Sequence, residues 1–170
     1  TAATVTTLRA DESFVLDGQR LTVLDNAIFN GSFGWSNAAT LAGGVIEWRG
    51  GAVARGAASK SLSDTTLRNA GLFEWRQGAI QMQNSAVFHN LPGAVFLINK
   101  AGPPADLAGF IGTGALHNEG ALRKAGGVEL SFFDNVSLLN TGLIDVQQGT
   151  LELSTVTTNV EIAASRNTHS

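Results

Sequence analysis

The chain has 170 residues, a net charge of −3 and an isoelectric point of about 5.5. Only 15% of its residues are charged and its Lys and Arg residues form no cluster, so it lacks the basic surface that binds nucleic acids or anionic membranes. The absence of cysteine excludes disulfides and thiolate metal sites. No apolar run is long enough to span a bilayer, so we expect no membrane insertion. Twenty glycines between short apolar runs predict many short strands with tight turns.

The N-terminal segment, residues 1–13, contains one β-branched patch. We expect it to be an edge strand, a cap or an arm that pairs with a neighbouring molecule. Its candidate interface residues are Thr4, Val5, Thr6 and Leu8. The chain starts at Thr1 with neither Met nor a signal-peptide pattern, which indicates either a removed signal peptide or a fragment of a longer chain.

One eight-residue phrase recurs from residue 44 onward. Its copies are GVIEWRGG at 44–51, GLFEWRQG at 71–78, GAVFLINK at 93–100, GALRKAGG at 120–127 and GLIDVQQG at 142–149. Their leading glycines are 27, 22, 27 and 22 residues apart. Repeats of this length are typical of solenoids, in which each repeat forms one coil against its neighbours. The pattern predicts an all-β, right-handed parallel β-helix of about six to seven coils, with residues 1–170 forming a single domain.

The two longer spacings predict insertions. We expect 51–63 to be a loop that protrudes from its coil, with the inserted residues at Gly56–Ser63, and a second inserted loop at Pro103–Thr113. The tail, residues 155–170, is expected to cap the last coil or to act as a donated strand. Its candidate interface residues are Val156, Val160 and Ile162.

Side chains in the phrase should alternate between the core and solvent, with the second and fourth residues after the glycine pointing inward. Lys124 breaks this rule, so we expect either a locally rotated coil or a side chain that reaches outward to water. Trp48 and Trp75 hold equivalent positions in the phrase and predict stacked aromatics in adjacent coils, with an exposed platform for sugar rings as the alternative. Trp35 lies outside the phrase and is the better candidate for exposure.

An asparagine ends the strand before the glycine in four coils. These residues are Asn69, Asn90, Asn118 and Asn140. Stacked coils would place them in one column, where their amides hydrogen-bond along the solenoid as an asparagine ladder. The alternative is that they are ordinary turn residues, because Asn and Gly both tolerate positive φ.

Two sets of polar residues suggest chemistry. Glu47-x-Arg49 and Glu74-x-Arg76 are expected on one face of adjacent strands, either as cross-coil charge pairs or as the carboxylate pair of a glycosidase. His89 and His117 occupy matching positions, either as surface histidines or as two ligands of a metal ion that lacks a third. No catalytic motif is present. We therefore predict no catalytic, cofactor or metal site.

The stretches LRNAGLFEWRQGAIQM at 67–82 and LLNTGLIDVQQGTLELS at 138–154 resemble the degenerate repeats of bacterial haemagglutinin-like and autotransporter-passenger surface proteins. The resemblance implies a β-solenoid at the cell surface or in the extracellular space, and it implies no activity. We therefore expect a secreted structural or adhesive protein that self-associates end to end into filaments.

Two alternatives remain open from the sequence. One is a module that binds a glycan or host-surface ligand through Trp35 and the two insertions. The other is a polysaccharide lyase or hydrolase on a β-helix, whose turnover would be lost in a Glu74→Gln variant.

Overall fold

The computed structural model of the protein describes residues 2–100, 108–154, 156–157 and 161–164. Every regular element among them is a β-strand, and every strand pairing is parallel. The strands stack in about seven turns of a β-solenoid, which confirms the predicted parallel β-helix.

The strands form three faces that run along the solenoid. Two long strands each span the first and second faces: β1 (Ala2–Ala10) and β3 (Arg20–Phe29). The first face continues through β5 (Thr40–Ala42), β8 (Lys60–Ser63), β11 (Ile80–Gln83), β14 (Ala108–Gly112), β17 (Leu130–Asp134) and β20 (Thr150–Leu153). The second continues through β6 (Val45–Trp48), β9 (Thr66–Asn69), β12 (Val87–Asn90), β15 (Ala115–Asn118), β18 (Ser137–Asn140) and β21 (Val156–Thr157). The third consists of β2 (Phe14–Asp17), β4 (Phe33–Ser36), β7 (Ala52–Arg55), β10 (Leu72–Trp75), β13 (Val95–Asn99), β16 (Ala121–Gly126), β19 (Leu143–Val146) and β22 (Glu161–Ala164).

A continuous stack of aromatic rings fills the interior. Neighbouring ring centroids lie between 4.7 and 6.4 Å apart. The stack contains Phe14, Phe29, Phe33, Trp48, Phe73, Phe88, Phe96, Phe110 and Phe133. Each ring in the middle of the stack is covered by rings of the neighbouring coils on both sides, so the core depends on stacking between coils.

The first copy of the repeated phrase lies on a different face from the other four. Residues 45–48 form β6 on the second face, whereas residues 72–75 form β10 on the third. Trp48 therefore pairs in register with Asn69, and Trp75 pairs with Ala54. The predicted equivalence of Trp48 and Trp75 is wrong, because the 27-residue spacing covers one coil plus one further side.

The same shift removes the first predicted insertion. Residues 52–55 and 60–63 form β7 and β8, which are ordinary strands of the third and first faces. The prediction of a protruding loop at 51–63 is therefore wrong. In the second predicted insertion, residues 103–107 lie outside the described residues, and 108–112 form β14 of the first face.

Glycines form a column at the corner between the second and third faces. A Cβ atom added to any of them would lie less than 3.0 Å from a carbonyl oxygen of the preceding coil. The column contains Gly31, Gly50, Gly71, Gly120 and Gly142. None of these glycines has positive φ. Close packing of the coils therefore explains them, rather than a left-handed turn.

The four asparagines lie in one buried column beside these glycines. Asn69 Nδ2 donates to Asn90 Oδ1 at 2.8 Å, Asn90 Nδ2 to Asn118 Oδ1 at 2.7 Å, and Asn118 Nδ2 to Asn140 Oδ1 at 2.6 Å. Each of these amides also donates to a backbone carbonyl of the adjoining corner. A chain of side-chain hydrogen bonds thus connects four successive coils, and every donor on the column has a partner.

Lys124 points into the solenoid. It is fully buried, and its Nζ donates to the carbonyl oxygens of Gly126 and Gly127 at 3.2 and 3.3 Å. Burial lowers the pKa of this lysine. Both expectations for Lys124, a rotated coil and a side chain that reaches outward, are wrong. The backbone carbonyls of Gly126 and Gly127, at the corner that follows Lys124 in the same coil, accept hydrogen bonds from its ammonium group inside the solenoid. Lys60 makes the same kind of contact, with the carbonyls of Gly56, Ala58 and Gln77.

Candidate functional site

The two predicted Glu-x-Arg pairs do not share a face. Glu47 lies on β6 of the second face, where its carboxylate is 2.6 Å from Arg49 Nε and 3.4 Å from Arg68 Nη1. Glu74 lies on β10 of the third face and is paired with Arg76 at 2.6 Å. The expectation that the two carboxylates sit on adjacent strands is wrong, again because the first phrase belongs to another face.

Glu74 instead organises a polar pocket on the third face. The Arg76 guanidinium holds the pKa of Glu74 below its usual value, assisted by a 2.6 Å hydrogen bond from Asn99 Nδ2 to the other carboxylate oxygen. The ionised carboxylate is nearly buried, so it fixes the positions of Arg76 and Asn99 on either side of it.

The pocket itself has a volume of about 460 Å³ and is lined by Arg55, Arg76, Gln77 and Asn99. We call it the two-arginine pocket. Arg55 ends β7, Arg76 follows β10 and Asn99 ends β13, three strands that are paired side by side. Because neighbouring strands lie about 4.8 Å apart, the outward side chains at these positions form one row across three coils.

The sequence did not indicate this pocket. Arg55 falls in the stretch predicted to be a loop, which separates it from Arg76 in the predicted arrangement. With the strand register of the structure, Trp75 pairs with Ala54 and the two arginines follow in adjacent positions.

The two histidines are neighbours on the second face. His89 pairs in register with His117, and their ring centroids are 5.8 Å apart. His89 Nε2 lies 3.3 Å from a carboxylate oxygen of Glu119. Burial and the neighbouring His89 lower the pKa of His117. Within the described ranges, no three His, Cys, Asp or Glu side chains are placed to hold a metal ion.

None of the tryptophans offers a surface to sugar rings. Trp35 is fully buried and its Nε1 donates to the carbonyl of Ala39 at 3.1 Å, so the prediction that it is exposed is wrong. Trp48 and Trp75 are also buried, but they pack against different rings. Trp48 contacts Phe33 and Phe73, whereas Trp75 contacts Phe96 and Phe110.

The N-terminal candidate strand is part of this chain's own first coil. Thr4, Val5, Thr6 and Leu8 lie in β1, which among the described strands pairs with β3 alone. Thr6 sits at a register shift between Val5 and Thr7 and is exposed. At the other end, Val156 lies in β21 and Ile162 in β22, whereas Val160 lies outside the described residues.

Among the residues described, no helix has the length and apolar character needed to cross a bilayer. No family model, no curated protein and no solved structure matches the chain.

Proposed function

We propose that the protein is a structural or adhesive β-solenoid of the extracellular or cell-surface kind that associates end to end with copies of itself. Its low charge content and the resemblance of residues 67–82 and 138–154 to surface-protein repeats support the setting. The proposal rests on one observation: the edge of β1 that faces away from β3 has no partner among the described strands. We call it the open edge.

The open edge presents the backbone groups of a nine-residue strand with no partner among the described strands. Unpaired strand edges of this length are templates for pairing with another chain. Any further coil that docks there in parallel would repeat the pairing that β1 makes with β3.

The core behind the open edge is only half covered. Val5, Leu8, Ala10 and Phe14 pack against buried residues of the next coil and are themselves partly exposed. In the middle of the solenoid, equivalent positions such as Ile46 and Phe73 are fully buried because a coil lies on each side. Covering the apolar end with a second copy would therefore bury surface by the same contacts that hold successive coils together.

Such a contact joins the β1 edge of one copy to the β20 end of another. Leu151 and Leu153 of β20 are partly exposed apolar residues at that end. Because the two surfaces differ, the contact is heterologous and generates open filaments rather than closed dimers.

The test compares wild type with a Thr4→Lys/Thr6→Pro variant. Lysine and proline on an edge strand block the docking of a further strand, and Thr6 tolerates proline because it lies at an irregularity of the pairing. Wild type should show a mass that rises with concentration in analytical ultracentrifugation and filaments in electron micrographs, whereas the variant should remain a monomer with an unchanged circular dichroism spectrum.

The matched control is Thr4→Ser/Thr6→Ser, which keeps the backbone N–H groups and the charge of the edge and should assemble like wild type. Wild-type protein that stays monomeric at every concentration would overturn the proposal. Assembly of the Lys/Pro variant to the same extent as wild type would do so as well.

A further inference from the structure

The two-arginine pocket concentrates positive charge on an acidic protein. The chain carries a net charge of −3, yet the pocket contains two guanidinium groups and one neighbouring carboxylate, Glu74. Glu74 is paired with Arg76, and no carboxylate of the described residues pairs with Arg55. An anion in the pocket would therefore meet uncompensated positive charge.

The amides of the pocket supply N–H donors. Gln77 Oε1 accepts a 3.2 Å hydrogen bond from the backbone N–H of Gly56, which fixes its side chain and leaves Nε2 without a partner among the described residues. Asn99 Nδ2 donates one of its two N–H groups to Glu74, whereas its Oδ1 lies against Gly126 of the following coil, on the side away from the arginines. Guanidinium groups pair with planar oxyanions in two-pronged geometry, and N–H donors beside them suit further oxygen atoms of the same ligand.

Two apolar side chains lie beside the pocket. Val53 and Leu97 flank Glu74 in register on the neighbouring strands β7 and β13, and all three point outward on the third face. Both side chains are partly exposed. A sugar ring has an apolar C–H face together with hydroxyl groups at its rim, and such a ring could rest on these side chains while its carboxylate reaches the arginines.

We infer that the two-arginine pocket binds the carboxylate of an acidic saccharide, with Arg55 and Arg76 on the carboxylate and with Gln77 and Asn99 on adjoining oxygen atoms. Arg55 is the residue on which binding depends most, because no carboxylate of the described residues pairs with it. Glu74 is a positioning residue that holds Arg76 and Asn99 through the two hydrogen bonds described above. This inference concerns the side of the solenoid and is independent of the open edge.

Isothermal titration calorimetry with a galacturonic acid trimer tests the inference, with its methyl ester and inorganic sulfate as comparison ligands. The acid trimer should bind, and its affinity should fall at least about tenfold for the ester, a loss of about 1.4 kcal/mol. Arg55→Gln should weaken binding of the acid trimer by a similar or larger factor, because it removes one of the two guanidinium groups. Binding should also weaken as salt is raised.

Arg20→Gln is the matched control, since Arg20 is an exposed arginine of β3 whose Nε donates to Thr22 within its own strand. It removes the same charge from the chain and should leave binding unchanged. Three results would each overturn the inference: no binding of the acid trimer, equal affinity for sulfate, or equal affinity in the Arg55→Gln variant. The circular dichroism spectrum of Arg55→Gln identifies any loss that comes from misfolding.

Discussion

One corner of the solenoid is filled in two different ways along its length. In the first coils the inward column at the end of the second face consists of Ala10, Phe29 and Trp48, which pair in register with one another. From the next coil onward the same column continues as Asn69, Asn90, Asn118 and Asn140. The backbone arrangement is shared, so the difference lies in what the side chains do.

In the first part of this column, which we call the aromatic half, stability depends on how well side chains of the right volume fill the corner. Trp48 lies between Phe33 and Phe73 at centroid distances of 5.2 and 5.3 Å. On the third face, Ala52 pairs with both Phe33 and Phe73 and leaves space for this ring. The stabilisation is non-directional burial, so it depends on volume and does not require one particular residue.

In the second part of the column, the asparagine half, stability depends on the direction of the hydrogen bonds. Each amide donates to the oxygen of the next, and a residue that cannot both donate and accept leaves a buried partner unsatisfied. Trp48, directly below Asn69, shows what happens at the junction. Its buried Nε1 has no hydrogen-bond partner in the part of the chain that the structure describes, whereas the corresponding nitrogens of Trp35 and Trp75 donate to carbonyls. The change from one filling to the other thus leaves an unpaired donor at the boundary.

Removing the ring at the boundary should have the largest effect. Trp48→Ala should lower the free energy of unfolding by about 4 kcal/mol, because it opens a cavity between two phenylalanines. Trp48→Phe should cost only about 1 kcal/mol, since it keeps a ring in place and removes the unpaired N–H. Urea unfolding at one fixed protein concentration measures both. A cost for Trp48→Phe as large as that for Trp48→Ala would show that the site requires the full indole and that a smaller ring does not fill it.

Interrupting the ladder should have a smaller but still large effect. Asn90→Ala removes two hydrogen bonds to neighbouring asparagines and one to the carbonyl of Ala121, so we expect a loss of about 3 kcal/mol. Asn26→Ala is the control, because Asn26 is exposed and should change stability by about 0.5 kcal/mol or less. The same unfolding experiment decides the matter. A cost for Asn90→Ala below about 1 kcal/mol would mean that the column contributes little beyond turn geometry.

The same contrast explains which features the sequence could predict. The asparagine column was accessible because four copies of one residue recur at the end of equivalent strands, and a ladder requires that repetition. The aromatic half could not be predicted in this way, because Phe, Trp or Ala can fill the same space. No single recurring residue therefore shows which positions are equivalent in successive coils. Trp35 was therefore assigned to the surface although it is buried.

The wrong prediction that the phrase at 44–51 lies on the same face as the later copies has the same cause. β6 of the second face and β10 of the third both begin after a glycine and alternate apolar residues inward, so a spacing of 27 residues fits either an insertion or one additional side of the coil. An insertion at this point would place Arg55 in a loop, away from Arg76. The correct register of Ala54 against Trp75 makes the pocket evident.

The outward-facing residues of the second face also change along the solenoid, with a smaller expected effect on stability. Glu47 and Arg68 form an ion pair in the earlier coils, and His89 and His117 occupy the same row in the later ones.

Burial and the neighbouring His89 hold the pKa of His117 below its usual value, whereas Glu119 acts in the opposite direction. The unfolded chain therefore binds a proton at this site more readily than the folded one, so stability should rise with pH between the lowered pKa of His117 and about 6.5, and fall as the pH drops through that window. His117→Gln should make the stability less dependent on pH in that window, and urea unfolding of both proteins from pH 5 to pH 7 measures the difference. An equal slope in the two proteins would show that the titration of His117 is not coupled to folding.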